Sequence, residues 1–161
     1  MATPEFITKL RTHIGHEMLW LSGVKVVVFH GEQVLLVRRA DNGLWTLPAG
    51  IIDPGEEPSH TAQREVLEET GVSCEVTDLI GVGVTAPTVY PNGDNAQYLD
   101  IVFRARHLSG DAVINDDENL EVGYFDLQDR PELPPLHERA LSWALAPRPP
   151  PSHLPRRSTT S

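Results

Sequence analysis

The chain has 161 residues, of which 40% are apolar and 22% charged, and its formal net charge is −10. This balance is typical of one globular domain with a real core, and so acidic a chain argues against a protein that binds a nucleic-acid duplex. No apolar run approaches the roughly 18 residues of a membrane span, and a single cysteine, Cys74, excludes an internal disulfide. We therefore expect a cytoplasmic protein without a secretory signal.

The first third of the chain predicts a short helix and then strands. Residues 3–14 favour the helix. Residues 24–40, VKVVVFHGEQVLLVRRA, hold two β-branched runs around Gly31-Glu32 and predict a β-hairpin. The turn signal Asp41-Asn42-Gly43 follows, and after it comes the strand candidate LWTLPAGII at residues 44–52.

The rest of the chain predicts one helix, three strands and a final helix. Pro58 suits the first position of a helix that ends near Thr70, and Gly71 suits the left-handed residue just past its end. Strands are expected near residues 75–86, 97–107 and 120–126. The final helix, at about 135–146, is anchored by Leu136, Ala140, Leu141 and Trp143.

This order of elements predicts one α+β domain over residues 1–146, with helices layered on a mixed sheet in an α/β/α arrangement. Residues 147–161, PRPPPSHLPRRSTTS, are proline-rich and offer little apolar surface to bury, so we expect a disordered tail there.

The helix at 58–70 carries three carboxylates on one face. Glu65, Glu68 and Glu69 fall within about 100° of arc, and the opposite side, with Ala62, Val66, Leu67 and Thr70, is expected to face the core. Like charges this close repel each other, and Arg64 offsets only part of the repulsion. A hard divalent cation such as Mg²⁺ removes the conflict and also bridges to phosphates. The alternative is a solvated, glutamate-rich helix face.

The residues around this helix form a longer spaced motif. It runs as Gly50, five residues, Glu56, seven residues, Arg64-Glu65-Val66, one residue, Glu68-Glu69, one residue, Gly71-Val72. This pattern over residues 50–72 resembles the Nudix box with every fixed position filled. The resemblance implies the Nudix fold, a mixed sheet sandwiched between helices, and the hydrolysis of diphosphate linkages with Mg²⁺, or with Mn²⁺ as the other candidate.

The resemblance also implies a metal site. Three positions match the metal-binding glutamates of the family: Glu65, Glu68 and Glu69. Ala49 stands where the family usually has a glycine whose carbonyl contacts the metal. Among the remaining motif positions, Arg64 matches the arginine that orients a glutamate, Glu56 matches the loop glutamate, and Gly50 and Gly71 match glycines that allow close approach of the loops.

A carboxylate must accept the proton of the attacking water. The resemblance says that this base varies within the family, and the candidates are Glu65, Glu68 and Glu118, the last on the acidic loop NDDENLE at 115–121. A solvated loop acid is the alternative for Glu118.

Four residues are candidates for substrate contact. Arg38 and Arg39 end a strand and should point to opposite faces, so that one meets phosphate; a surface ion pair is the alternative. In the turn TVYPNGDN, Tyr90 is expected to stack on a base or to pack, and Asn92 to hydrogen-bond a ribose.

The substrate subclass stays open at this point. Pro87, 15 residues past Val72, resembles the ADP-ribose subclass, whereas Tyr90, 18 residues past it, resembles the dinucleoside polyphosphate subclass. We expect a nucleoside diphosphate linked to another group, with a dinucleoside polyphosphate or an oxidised nucleoside triphosphate as alternative substrates and a non-catalytic nucleotide sensor as the alternative function. The expected partner is this small molecule, with no nucleic-acid duplex and no membrane, and a homodimer is left open.

Overall fold

The computed structural model describes residues 3–147. Three helices are present, α1 (Glu5–Ile14), α2 (Pro58–Thr70) and α3 (Pro135–Leu145). The eight strands are β1 (Leu19–His30), β2 (Gln33–Arg39), β3 (Trp45–Thr46), β4 (Ala49–Ile51), β5 (Ser73–Val84), β6 (Thr88–Val89), β7 (Asn95–Ser109) and β8 (Asn119–Asp126). The predicted tail at 147–161 lies outside the described residues apart from Pro147.

One mixed sheet organises the domain. Its strands run in the order β3-β2-β1-β7-β5, while β4 pairs with β1, β6 with β7 and β8 with β2. The long β1 and β7 strands are parallel, in register from Leu19 opposite Ala96 to Phe29 opposite Arg106, and the other pairs are antiparallel. This mixed sheet with flanking helices confirms the predicted fold class.

The core lies on both faces of the sheet because the valines of β1 alternate. Val26 and Val28 belong to a cluster that includes Ala62 and Val66 of α2. Val27 belongs to a second cluster, which includes residues of α3. Helices therefore cover both faces, as the α/β/α prediction requires. No helix among residues 3–147 is long and apolar enough to span a membrane.

The strand predicted at 44–52 divides into two. β3 pairs with β2, and β4 pairs with β1. Pro48 lies between them and has no backbone N–H to donate, but its carbonyl accepts a hydrogen bond from the Val26 N–H at 3.0 Å. The chain thus passes from pairing with β2 to pairing with β1 just before the box, which puts Gly50 opposite Val24 in the middle of β1.

The expected orientation of α2 is wrong in one respect. Leu67, predicted in the core, is 49% exposed, whereas Glu65 and Glu69 are each only 3% exposed. Ala62, Val66 and Thr70 are buried as predicted. The helix is rotated so that two carboxylates, rather than Leu67, lie against the sheet. A pattern that assigns every charged residue to the solvent side misses this, because burial of a charge is rare outside functional sites.

Candidate active site

Gly50 makes room for a carboxylate between β4 and α2. A Cβ atom built at Gly50 would lie 2.2 Å from the Cδ atom of Glu65, a distance that real atoms do not allow. At the other end of α2, Gly71 adopts φ 71° and its N–H donates to the Leu67 carbonyl at 2.9 Å. The two box glycines therefore have different roles, one to admit a side chain and the other to end the helix.

Arg64 holds the carboxylates on this side of α2 in place. Its guanidinium donates to both carboxylate oxygens of Glu56, at 2.8 and 3.0 Å, and through Nη1 to Glu65 at 3.1 Å and Glu68 at 3.2 Å. The bond to Arg64 lowers the pKa of Glu56, and the paired carboxylates, Glu56 first, raise the pKa of Arg64. Arg64 is therefore a fully engaged cation whose charge is used to orient glutamates.

Burial perturbs two of the three helix glutamates. It raises the pKa of Glu65 to about 7, although Arg64 acts in the opposite direction. Burial, with the charge of Glu65 as the next cause, raises the pKa of Glu69 to about 8. Keeping two such buried carboxylates ionised lowers the stability of the folded protein unless a cation lies beside them.

This donor set suits a hard divalent cation. Oxygen ligands from Glu65, Glu68 and Glu69 on one helix are what Mg²⁺ and Mn²⁺ prefer. In the described part of the chain, no three carboxylate, histidine or cysteine side chains already converge as a formed metal site. The third carboxylate, Glu68, is 56% exposed and hydrogen-bonds Arg64 at 3.2 Å.

A cleft of about 740 Å³ opens beside these glutamates. Four segments line it: α1 with the residue before it, β4 with the loop that follows, α2, and the acidic loop before β8. The lining residues are Pro4, Glu5, Phe6, Lys9, Ile51, Asp53, Pro54, Arg64, Glu65, Glu68, Asn115, Asp116, Asp117 and Glu118. The structure therefore brings Arg64, Glu65, Glu68 and Glu118 together in one cleft. Glu69 and Ala49 are not among its lining residues.

The predicted substrate-contacting residues do not line this cleft, although the charge of Glu69, after the hydrogen bond and charge of Asp41, helps to raise the pKa of Arg39. Arg38 donates to the Gly43 carbonyl and to Glu121, each at 3.1 Å, and Arg39 forms two hydrogen bonds to Asp41. Neither arginine lines the cleft. Both make the ion pairs that were the alternative, and the predicted contact of one of them with phosphate stays a prediction.

The turn at 88–95 is also engaged with other parts of the protein. The Tyr90 hydroxyl hydrogen-bonds the Tyr98 hydroxyl, and the Asn92 amide donates to Asp94 at 3.0 Å. Asp94 also bonds His16 at 2.8 Å. Tyr90 and Asn92 do not line the cleft, so their predicted contacts with a base and a ribose stay predictions.

Sequence reasoning missed the contribution of α1 to the cleft. A helix was predicted at 3–14, but nothing in its sequence showed where it docks. Its apolar residues Phe6 and Ile7 pack with Leu21 and Ile51, and an apolar helix face alone does not specify such a partner.

Comparison with known proteins identifies a shared domain. The profile of the NUDIX domain matches residues 20–144. A Methanocaldococcus jannaschii protein named ADP-ribose pyrophosphatase is 31% identical over 118 residues, which cover 71% of this chain and 67% of that protein. A Bacillus subtilis protein named putative 8-oxo-dGTP diphosphatase is 45% identical over 65 residues, 40% of this chain and 44% of that one. The chain thus spans less than half the length of that relative.

Solved structures show the same fold. A NUDIX hydrolase from Nitrosomonas europaea matches with a TM-score of 0.61 and 30% identity, covering 75% of this chain and 67% of that one. A MutT NUDIX hydrolase from Burkholderia pseudomallei matches with a TM-score of 0.64 and 26% identity, covering 78% of this chain and 98% of that one.

Proposed function

The chain belongs to the Nudix family, and from this premise we propose that it hydrolyses the diphosphate linkage of a nucleoside diphosphate joined to another group, such as ADP-ribose, with Mg²⁺ or Mn²⁺. The observation that carries the proposal is the pair of buried carboxylates, Glu65 and Glu69, beside a cleft that also holds Glu68 and Glu118. Buried ionisable groups next to a cleft favour a functional site over a solvated helix face.

Glu65, Glu68 and Glu69, with the Ala49 carbonyl, would hold the metal. When bound, it neutralises the diphosphate, orients it and lowers the pKa of the attacking water. Arg64 keeps Glu65 and Glu68 pointed toward the cleft through its two hydrogen bonds from Nη1. Fixing these side chains before the substrate arrives reduces the reorganisation that the reaction requires.

Glu118 is the best candidate for the general base. It lines the same cleft as Glu65 and Glu68 but stands on the loop before β8 rather than on the helix that would hold the metal. It can therefore accept a proton without giving up a metal ligand. Glu118→Gln is expected to lower kcat by about a hundredfold or more, whereas a change confined to KM would leave Glu65 or Glu68 as the base.

The charge of the cleft favours a diphosphate over a triphosphate. Seven carboxylates and two cations line it, and one of the cations, Arg64, is already engaged by glutamates. A third phosphate adds negative charge that this lining repels. The name of the M. jannaschii relative supports ADP-ribose. The name of the B. subtilis relative favours an oxidised nucleoside triphosphate as the second candidate.

A substrate panel tests the proposal. We would measure kcat/KM with Mg²⁺ for ADP-ribose, a diadenosine polyphosphate, dGTP and 8-oxo-dGTP, with Glu65→Gln as the inactive control. ADP-ribose is expected to lead the triphosphates by tenfold or more. A tenfold preference for 8-oxo-dGTP would show that the substrate is an oxidised nucleoside triphosphate instead. Binding of a compound without turnover of any of them would show that the protein is a nucleotide sensor and not an enzyme. The cytoplasmic location stays a prediction, and the homodimer stays open.

A further inference from the structure

The first helix lies outside the region that this chain shares with the family profile, yet it borders the cleft. The profile match begins at residue 20, whereas α1 ends at Ile14. Phe6 and Lys9 of α1 line the same cleft as Glu65 and Glu68. One wall of the candidate active site therefore comes from a segment outside the matched domain.

This wall is firmly attached to the domain. Ile7 is 4% exposed and packs with Leu21 and Ile51 in one cluster. Just beyond it, the Arg11 guanidinium donates to the Asn95 carbonyl at 2.8 Å and to carbonyls after α1. Because α1 is anchored by both apolar packing and hydrogen bonds, its exposed residues are held beside the cleft before a substrate binds.

The cations of the cleft differ in what they can offer an anionic substrate. Arg64 is bound to Glu56, Glu65 and Glu68. Lys9 is exposed, and its ammonium group makes no hydrogen bond or ion pair with any described residue. Lys9 is thus the cleft cation whose charge is available.

We propose that Lys9 binds the diphosphate of the substrate and contributes to substrate affinity. The inference rests on the proposed function. A lysine ammonium is a compact charge on a flexible stem and serves well as a point contact for phosphate. In a cleft with seven carboxylates, a free cation on the α1 wall offsets part of the repulsion that the substrate would meet.

The competing explanation is a solvated lysine that shares its helix face with Glu5, one turn earlier, as many surface pairs do. Both explanations predict that Lys9→Ala folds normally, because the residue is exposed. They differ in substrate affinity, since a solvated lysine contributes nothing to it.

The test compares wild type with Lys9→Ala, Lys9→Arg and the control Arg106→Ala, which removes an exposed cation that pairs with Glu75 away from the cleft. Steady-state kinetics with ADP-ribose and Mg²⁺ would give KM and kcat separately. Calorimetry of ADP-ribose binding to the metal-free proteins would give Kd without turnover. Melting temperatures would verify folding.

Lys9→Ala is expected to raise KM and Kd by about tenfold or slightly more, the lower end of the range for a charge-assisted contact, with kcat within twofold. Lys9→Arg should restore most of the affinity, and Arg106→Ala should leave all three values unchanged. If wild type cleaves ADP-ribose and Lys9→Ala keeps KM and Kd within twofold, the role of Lys9 is refuted while the proposed function stands. If wild type neither cleaves nor binds ADP-ribose, both fall together.

Discussion

Replacing Glu65 by glutamine should abolish turnover and yet stabilise the metal-free protein. The folded protein raises the pKa of this carboxyl from 4.5 to about 7, chiefly through burial. Keeping it ionised in the folded state therefore costs about 3 kcal/mol at pH 8. Glutamine has nearly the same shape, carries no charge and still fits over Gly50, so it removes this cost.

The sign of the pH dependence follows from the direction of the shift. Because the folded state holds the Glu65 proton more tightly than the unfolded chain does, the stability from protonation is complete below pH 4.5 and is lost as the pH rises through about 7. Glu65→Gln does not titrate, so its advantage should be largest at pH 8 and fall below about 1 kcal/mol at pH 5.

We expect a net gain of about 1 to 2 kcal/mol at pH 8, because glutamine also loses the ion pair with Arg64. For a domain of this size the gain corresponds to about 2 to 8 °C in melting temperature. The assay is thermal melting in EDTA at pH 8 and pH 5, together with turnover in Mg²⁺. The matched control is Glu68→Gln, whose side chain is 56% exposed and shares the Arg64 partner, and whose stability should hardly change. A Glu65→Gln protein that melts below wild type at pH 8, or a difference independent of pH, would refute the reasoning.

Three further outcomes are expected. Mg²⁺ or Mn²⁺ should raise the melting temperature of wild type by linkage, and by much less in a variant with all three helix glutamates changed to glutamine; equal shifts would place the metal elsewhere. Gly50→Ala should reduce kcat at least tenfold and lower the melting temperature, because its Cβ would lie 2.2 Å from the Glu65 Cδ; unchanged kinetics would show that this contact is unimportant. Burial lowers the pKa of His137 to about 3, and its Nδ1 accepts a hydrogen bond from the Leu47 N–H at 3.2 Å, so stability should fall as the pH drops below 6.5, by about 2 kcal/mol at pH 5. Measured by denaturant melts, this loss should shrink in His137→Asn but not in the exposed control His13→Gln.

The sequence predicted α2 well where the signals are local. Pro58 and Gly71 set the ends of this helix, and each acts through its own backbone geometry. The face that α2 buries is decided by tertiary contacts instead. Hydrophobic patterning assigns Leu67 to the core and Glu65 to solvent, and the structure reverses both. The sequence clue was Gly50, whose missing side chain leaves space for the carboxylate, but this clue becomes visible only when β4 is placed beside α2.

Contacts between distant parts of the chain could not be predicted from the sequence, because they too depend on tertiary packing. The docking of α1 depends on Ile7 meeting Leu21 and Ile51, and on Arg11 reaching the Asn95 carbonyl, 84 residues away. A helical pattern specifies an apolar face but does not specify its partner. The spacing of the sequence was enough to predict the candidate glutamates. It was not enough to predict that α1 lines the same cleft.

The net charge of the chain gives a reason for α1 and the glutamates of α2 to line the same cleft. A protein with a net charge of −10 repels a diphosphate unless local cations reverse the field. Arg64 cannot do so, because its guanidinium is engaged by the glutamates it orients. On the proposed function, the attraction comes from a metal held by those glutamates and from Lys9 on α1, which lines the same cleft. On the proposed function, Glu65 lowers the stability of the metal-free protein because it is placed to bind the metal, and Lys9 adds a second cation to this cleft from outside the matched residues 20–144.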